Sequence, residues 1–126
     1  MKLIDKVMKE LQEQGFLPKR EEFGIAFKYQ MTYYICLEDE EDEDYFSLYA
    51  PYIFEVDSEN MSDVFVAINA VNNAMKVIKL VVNDDHVWAC FEEKLPKDAN
   101  LEEIVPYAVV TLSRARQQFY EQLKKA

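Results

Sequence analysis

The single histidine, His86, follows Asp84 and Asp85, and an imidazole beside two carboxylates is the grouping that comes nearest to a metal site or a general base. A zinc site needs three or four ligands in fixed geometry, whereas neighbouring residues of a strand point to opposite faces. General-base chemistry would need a Ser or Cys partner, and none lies near in sequence. His86 therefore reads as a residue flanking a turn, with a small-molecule or metal-binding domain using His86 and the adjacent acids kept as the alternative. The run Glu38-Asp39-Glu40-Glu41-Asp42-Glu43-Asp44 offers Ca²⁺ its preferred oxygens, but an EF-hand loop turns on a glycine at its sixth position and here that position is acidic. Seven like charges in a row predict an extended, mobile, solvated loop that is able to capture a basic segment of a partner.

No GxSxG, P-loop, HExxH or GxGxxG occurs, and two glycines leave little means of building one. No pair of carboxylates stands out for glycoside chemistry, which needs one of the two buried. Cys36 and Cys90 stand alone in apolar segments with no CxxC spacing, so they read as reduced, buried thiols rather than a disulfide. The expectation is a protein that is not an enzyme and needs no cofactor.

The balance of 24 acids against 14 bases makes the net charge −10, and without the acidic run 17 acids face 14 bases. Nucleic acid binding draws its affinity from Lys and Arg on phosphates, so nucleic acid and anionic membrane surfaces are excluded as partners. Charges at Lys2, Asp5 and Lys6 interrupt the place where a secretory signal carries its apolar run, and no apolar stretch of about 18 residues exists. The chain is expected to be cytoplasmic. With 50% hydrophobic and 13% aromatic residues it is too apolar for a disordered chain, and its length suits one core.

The elements that must carry these residues follow from hydrophobic period. Leu3, Ile4, Val7, Met8 and Leu11 fit a helix over residues 2–14, closed by Gly15. Phe23, Ile25, Phe27 and Tyr29, then Tyr33, Ile35 and Leu37, alternate as two strands of a hairpin turning near Gln30 and Met31. Residues 45–54 form a third strand with a bulge or edge position at Pro51. Ser58 or Asn60 caps a second helix with apolar face Met61, Val64, Phe65, Ile68, Val71 and Met75, ending near Lys76. Residues 77–82 and 87–91 make a second hairpin around Asn83-Asp84-Asp85. Asn100-Leu101-Glu102-Glu103 has capping-box spacing, but Pro106 predicts a short turn and a last helix starting near Val105. The expectation is one α+β domain over residues 1–126, an antiparallel five-stranded sheet in the order α-β-β-β-α-β-β-α.

Alternation divides Tyr33, Ile35 and Leu37 from Tyr34 and Cys36, and Val87, Ala89 and Phe91 from Trp88 and Cys90. Both sheet faces are thus partly apolar. With Tyr45 and Tyr49 added, helices on one side would leave an aromatic surface of the kind interfaces favour, while helices wrapping both sides would bury it. Asn69, Asn72 and Asn73 crowd the end of the middle helix, more than capping alone requires. The candidate partner-binding residues are Tyr34, Tyr45, Tyr49, Trp88, Asn69 and Asn72.

The segments IAFKYQMTYYICLEDEEDEDYFSLYAPYIF and VFVAINAVNNAMKVIKLVVNDDHVWACFEE, followed by a long last helix, resemble the YbjN-like proteins, proposed bacterial sensory-transduction regulators, and the wider type III secretion chaperone-like fold. The likeness spans most of the chain from Phe23 onward and is most specific where Asn69, Asn72 and Asn73 end the middle helix and a strand begins at Lys76 and Val77. It implies a non-enzymatic domain, often homodimeric, whose secretion-chaperone relatives bind extended segments of other proteins. It carries over no binding residue. A protein-interaction module, chaperone-like or regulatory, that binds a protein partner or peptide segment is the resulting expectation.

Overall fold

The computed structural model describes residues 1–126. Its elements are α1 (Leu3–Glu13), β1 (Lys19–Glu21), β2 (Gly24–Tyr29), β3 (Thr32–Leu37), β4 (Tyr45–Glu55), α2 (Met61–Ala74), β5 (Ile78–Asn83), β6 (His86–Lys94) and α3 (Leu101–Lys124). All neighbouring strands are antiparallel, in the order β1-β2-β3-β4-β6-β5. The sheet thus has six strands rather than five. The extra strand, Lys-Arg-Glu, has no apolar alternation and is recruited only by the backbone of residues 24–26. Such a short, charged strand also protects the sheet edge it occupies.

Both tight hairpins turn through two residues of positive φ, as right-twisted strands require. Asp84 and Asp85, at 53° and 57°, tolerate that region, whereas Gln30 and Met31, at 49° and 64°, occupy it without a favourable side chain. Gly24 is fixed for another reason. Its φ is 147°, and a Cβ there would lie 1.9 Å from the Cys36 carbonyl oxygen across the β2–β3 ladder.

β4 lies inside the sheet, so Pro51 sits at a bulge and not at an edge. The β4–β6 register shifts between Ala50 and Phe54, and Tyr52 takes a positive φ of 54°. The Tyr120 hydroxyl of α3 donates to the Ile53 carbonyl at 2.6 Å, which satisfies a group within the disturbed ladder.

α3 starts at Leu101, four residues earlier than periodicity and Pro106 predict. A proline at that depth removes the N–H that would bond the Glu102 carbonyl. The Gln14 side chain at the end of α1 donates to that same carbonyl at 3.1 Å, so the orphan is satisfied from another element. The N-terminus of α2 also differs from expectation. Asn60 occupies the cap position without a capping bond, accepting instead from the Asp57 N–H and donating to the Glu55 carbonyl, while the Asp57 carboxylate accepts from the Glu59 and Asn60 N–H groups. α2 ends at Ala74, two residues before Lys76.

One cluster of 27 buried apolar residues joins all three helices to one face of the sheet. That face carries Ile25, Phe27, Tyr34, Phe46, Leu48, Leu80, Val87 and Phe91, and α3 lays Val105, Ala108, Val109, Leu112, Ala115 and Phe119 upon it. Replacing Gln14 by Ala should cost about 1 kcal/mol in urea unfolding. The same change in a Pro106→Ala background, where the helix satisfies its own carbonyl, should cost measurably less, and equal costs would show that Gln14 does not serve the proline.

Candidate functional site

The opposite face of the sheet is open. Alternation directs Tyr33, Ile35 and Leu37 of β3, Tyr45, Ser47 and Tyr49 of β4, His86, Trp88, Cys90 and Glu92 of β6, and Lys79 and Val81 of β5 to that side, as the pairs Ile35↔Tyr49, Tyr49↔Cys90 and Val81↔Trp88 establish. Trp88 is its centre. Its ring meets Tyr49 at 5.8 Å and Tyr52 at 5.2 Å, both edge-on, and Tyr52 meets His86 at 5.2 Å. Tyr52 and Tyr33 are the exposed members, at 56% and 42%. The indole Nε1 is shielded from solvent and has no hydrogen-bond partner.

A polar brace crosses the same face. The Tyr49 hydroxyl donates to Glu92 at 3.0 Å, and Lys79 meets the other Glu92 oxygen at 2.7 Å. Burial first, and Glu92 in addition, raise the Tyr49 hydroxyl pKa, while the Glu92 hydrogen bond and charge raise that of Lys79.

The structure sets Tyr45, Tyr49 and Trp88 on one side of the sheet, with Tyr45 at the far end beside Lys94, and joins Tyr49 and Trp88 to Tyr52 and His86 in one cluster of rings. Tyr52 escaped simple alternation because the bulge beside Pro51 turns it outward; the proline was the available signal. Tyr34 must be removed from the candidate surface. It is fully buried against Phe27, with ring centroids 5.2 Å apart, and faces α3. Burial raises its hydroxyl pKa, and Ser113 and Thr32 lie toward that hydroxyl without reaching hydrogen-bond geometry.

Asn72 is a correction of a different kind. Its side-chain oxygen accepts from the Leu80 N–H at 2.7 Å and its nitrogen donates to the Leu80 carbonyl at 3.1 Å, so the amide imitates a neighbouring strand along the outer edge of β5. It closes a sheet edge and is not free for a partner. Asn69 is exposed on α2, away from the aromatic face, and receives the Asn73 amide.

The His86 and aspartate grouping does not assemble a ligand set. His86 Nδ1 lies 2.9 Å from the Asp84 carbonyl oxygen, and no three His, Cys, Asp or Glu side chains are placed to hold a metal ion. The two thiols are free and buried, Cys36 on the helix side and Cys90 on the open side. Burial pushes both up to about 12.

The acidic run folds back on itself and is not extended. Glu38 pairs with Arg20 at 2.8 Å and lies 3.9 Å from Lys2; the Arg20 hydrogen bond holds its carboxyl below the usual range. The Asp39 carboxylate accepts from the Glu41 and Asp42 N–H groups, Asp42 lies 3.5 Å from Lys94, and the Leu95 N–H donates to the Asp44 carbonyl. Beside this loop a cavity of about 220 Å³ opens between α1 and the ends of β3 and β4.

This architecture defines an α+β protein with an antiparallel sheet covered by helices on one face only. Its fold is that of YbjN from E. coli, a proposed transcription regulator, which matches at 13% identity over 96% of this chain and 93% of YbjN with a TM-score of 0.66. An uncharacterized protein from Methanothermobacter thermautotrophicus matches at 13% identity over 96% of both chains with a TM-score of 0.64. At the level of fold, the resemblance drawn from the sequence holds. No protein family model and no curated protein sequence matches the chain. No helix is long and apolar enough to cross a membrane.

Asn72→Ala should cost about 2 kcal/mol in urea unfolding, since two backbone groups of Leu80 lose their partner, whereas Asn69→Ala should stay within about 0.5 kcal/mol. The thiols should be inert to Ellman's reagent at neutral pH until the protein is unfolded. Because the unfolded thiols ionise near 9.0 and the folded ones near 12, the unfolded chain binds fewer protons in between, and stability should fall as pH rises through that window. Cys90→Ala should make that alkaline loss shallower.

Proposed function

We propose that this chain is a non-catalytic protein-interaction module whose open sheet face binds another polypeptide surface, a second copy of the chain before any other. One observation carries this reading: Trp88, Tyr49 and Tyr52 form a contiguous aromatic cluster, with Tyr33 exposed on the same side, on a face that the helices do not cover. Tyr and Trp supply large contact area at little entropic cost and dominate the energetics of interfaces.

A regulatory or chaperone-like role agrees with this chemistry, and the fold is shared with a proposed regulator. The charge of −10 directs any such regulation through protein contacts rather than through phosphates. Tyr45, Tyr49 and Trp88 are the residues of the face that a partner covers, with Tyr33 and Tyr52 its most exposed aromatic members.

Light scattering should give a mass near twice 14.9 kDa. Tyr52→Ser combined with Tyr33→Ser should weaken association at least about tenfold, since each loses an exposed aromatic contact, while leaving the thermal midpoint nearly unchanged at concentrations low enough for both proteins to be monomeric. A wild-type monomer that also retains no partner in native purification would refute the reading.

A further inference from the structure

β3 and β4 are paired only at Ile35↔Tyr49 and Cys36↔Leu48. Beyond that point the strands part and the acidic run joins them. A cavity of about 220 Å³ lies there, lined on its apolar side by the half-buried Leu3 and Leu37 over the covered Val7, Cys36 and Phe46. Its mouth carries four carboxylates, Glu38, Asp39, Glu40 and Glu43, against one cation, Lys2. Glu38 is already paired with Arg20, and Lys2 also serves it. Neither Glu40 nor Glu43 takes part in any salt bridge. Carboxylates around a low-dielectric cleft concentrate negative potential at its entrance.

Leu3 and Leu37 beside four acidic side chains are complementary to a cation on a short apolar stem. We infer that this pocket receives one Arg or Lys side chain of a bound polypeptide, its methylenes against Leu3 and Leu37 and its charge at the rim that carries Glu40 and Glu43. Long basic side chains bury their stems and keep their heads at polar surroundings in this way. Leu37 and Tyr45 belong both to the pocket and to the open face, so a segment lying on that face reaches the pocket at its end. The inference rests on the interaction reading for the source of the cation, and not for the pocket itself.

The test is a titration of the ¹⁵N-labelled full chain with n-hexylammonium, n-hexanol and hexanoate at low salt. Hexylammonium should produce saturable shifts at Leu3, Val7, Leu37 and Tyr45 with a Kd on the order of 1 mM, the range open to a ligand of so few atoms. Hexanoate should produce none, and Glu40→Gln with Glu43→Gln should weaken hexylammonium at least about fivefold, both exposed changes that relieve repulsion rather than disturb packing. N-acetyl-arginine amide or N-acetyl-lysine amide should displace hexylammonium. No saturable shift at 20 mM (about twentyfold over that Kd), hexanol binding as well as hexylammonium, or no effect of the Gln pair would each overturn the pocket. Binding of hexylammonium that neither amino-acid amide displaces would overturn the side-chain assignment in favour of a free amine. The Tyr52→Ser variant should bind hexylammonium as the wild type does, so a failed open face and a failed pocket give different results.

Discussion

Burial of α3 against one face of the sheet is the interaction on which the rest of the molecule depends. Val105, Ala108, Val109, Leu112, Ala115 and Phe119 are all at or near zero exposure, and Phe119 reaches Phe54 beyond the bulge of β4. Burying each larger apolar side chain contributes about 1.5–3 kcal/mol. A single layer of three helices covers a six-stranded sheet on one side only, and sidedness follows directly. Residues alternating away from α3 have no helix to meet, which leaves Trp88 and its neighbours at the surface.

The irregularities of the fold sit where this packing must be reconciled with local chemistry. Pro51 cannot donate in the ladder, so β4 bulges, Tyr52 turns outward, and Tyr120 of α3 takes up the Ile53 carbonyl. Pro106 removes a helical hydrogen bond, and Gln14 of α1 takes up the Glu102 carbonyl. Asn72 of α2 stands in for a missing strand beside Leu80. In each case a polar group left over by one element is satisfied by another, which is the rule for buried backbone.

The acidic run follows the same logic with charge in place of backbone. Its ends are drawn in by Arg20, Lys2 and Lys94, and its own N–H groups fold onto Asp39. Its remaining carboxylates cannot enter the core without neutralisation, so they rim an opening where β3 and β4 separate. The open face and this opening share Leu37 and Tyr45, which makes one continuous surface of aromatic centre and acidic end.

Alternation and helical period in the sequence by themselves determined the α+β class, three helices, five of the six strands, the hairpin turns and which residues of each strand share a side, because period decides which side chains of one element face together. The bulge at Pro51, as against an edge position, and the common face of Tyr49 and Trp88 came from the register between strands. β1 has no such pattern and exists only through pairing with β2. Which face the helices would cover was equally undetermined, since both faces are apolar in part. Tyr34 and Trp88 look alike in the sequence, and only the placement of α3 buries one and leaves the other at the open surface. The tertiary structure also decided the early start of α3, the engagement of Asn72 and the path of the acidic loop. Their partners, Gln14, Leu80 and Arg20, belong to other elements, and contacts between distant elements leave no periodic trace in a chain.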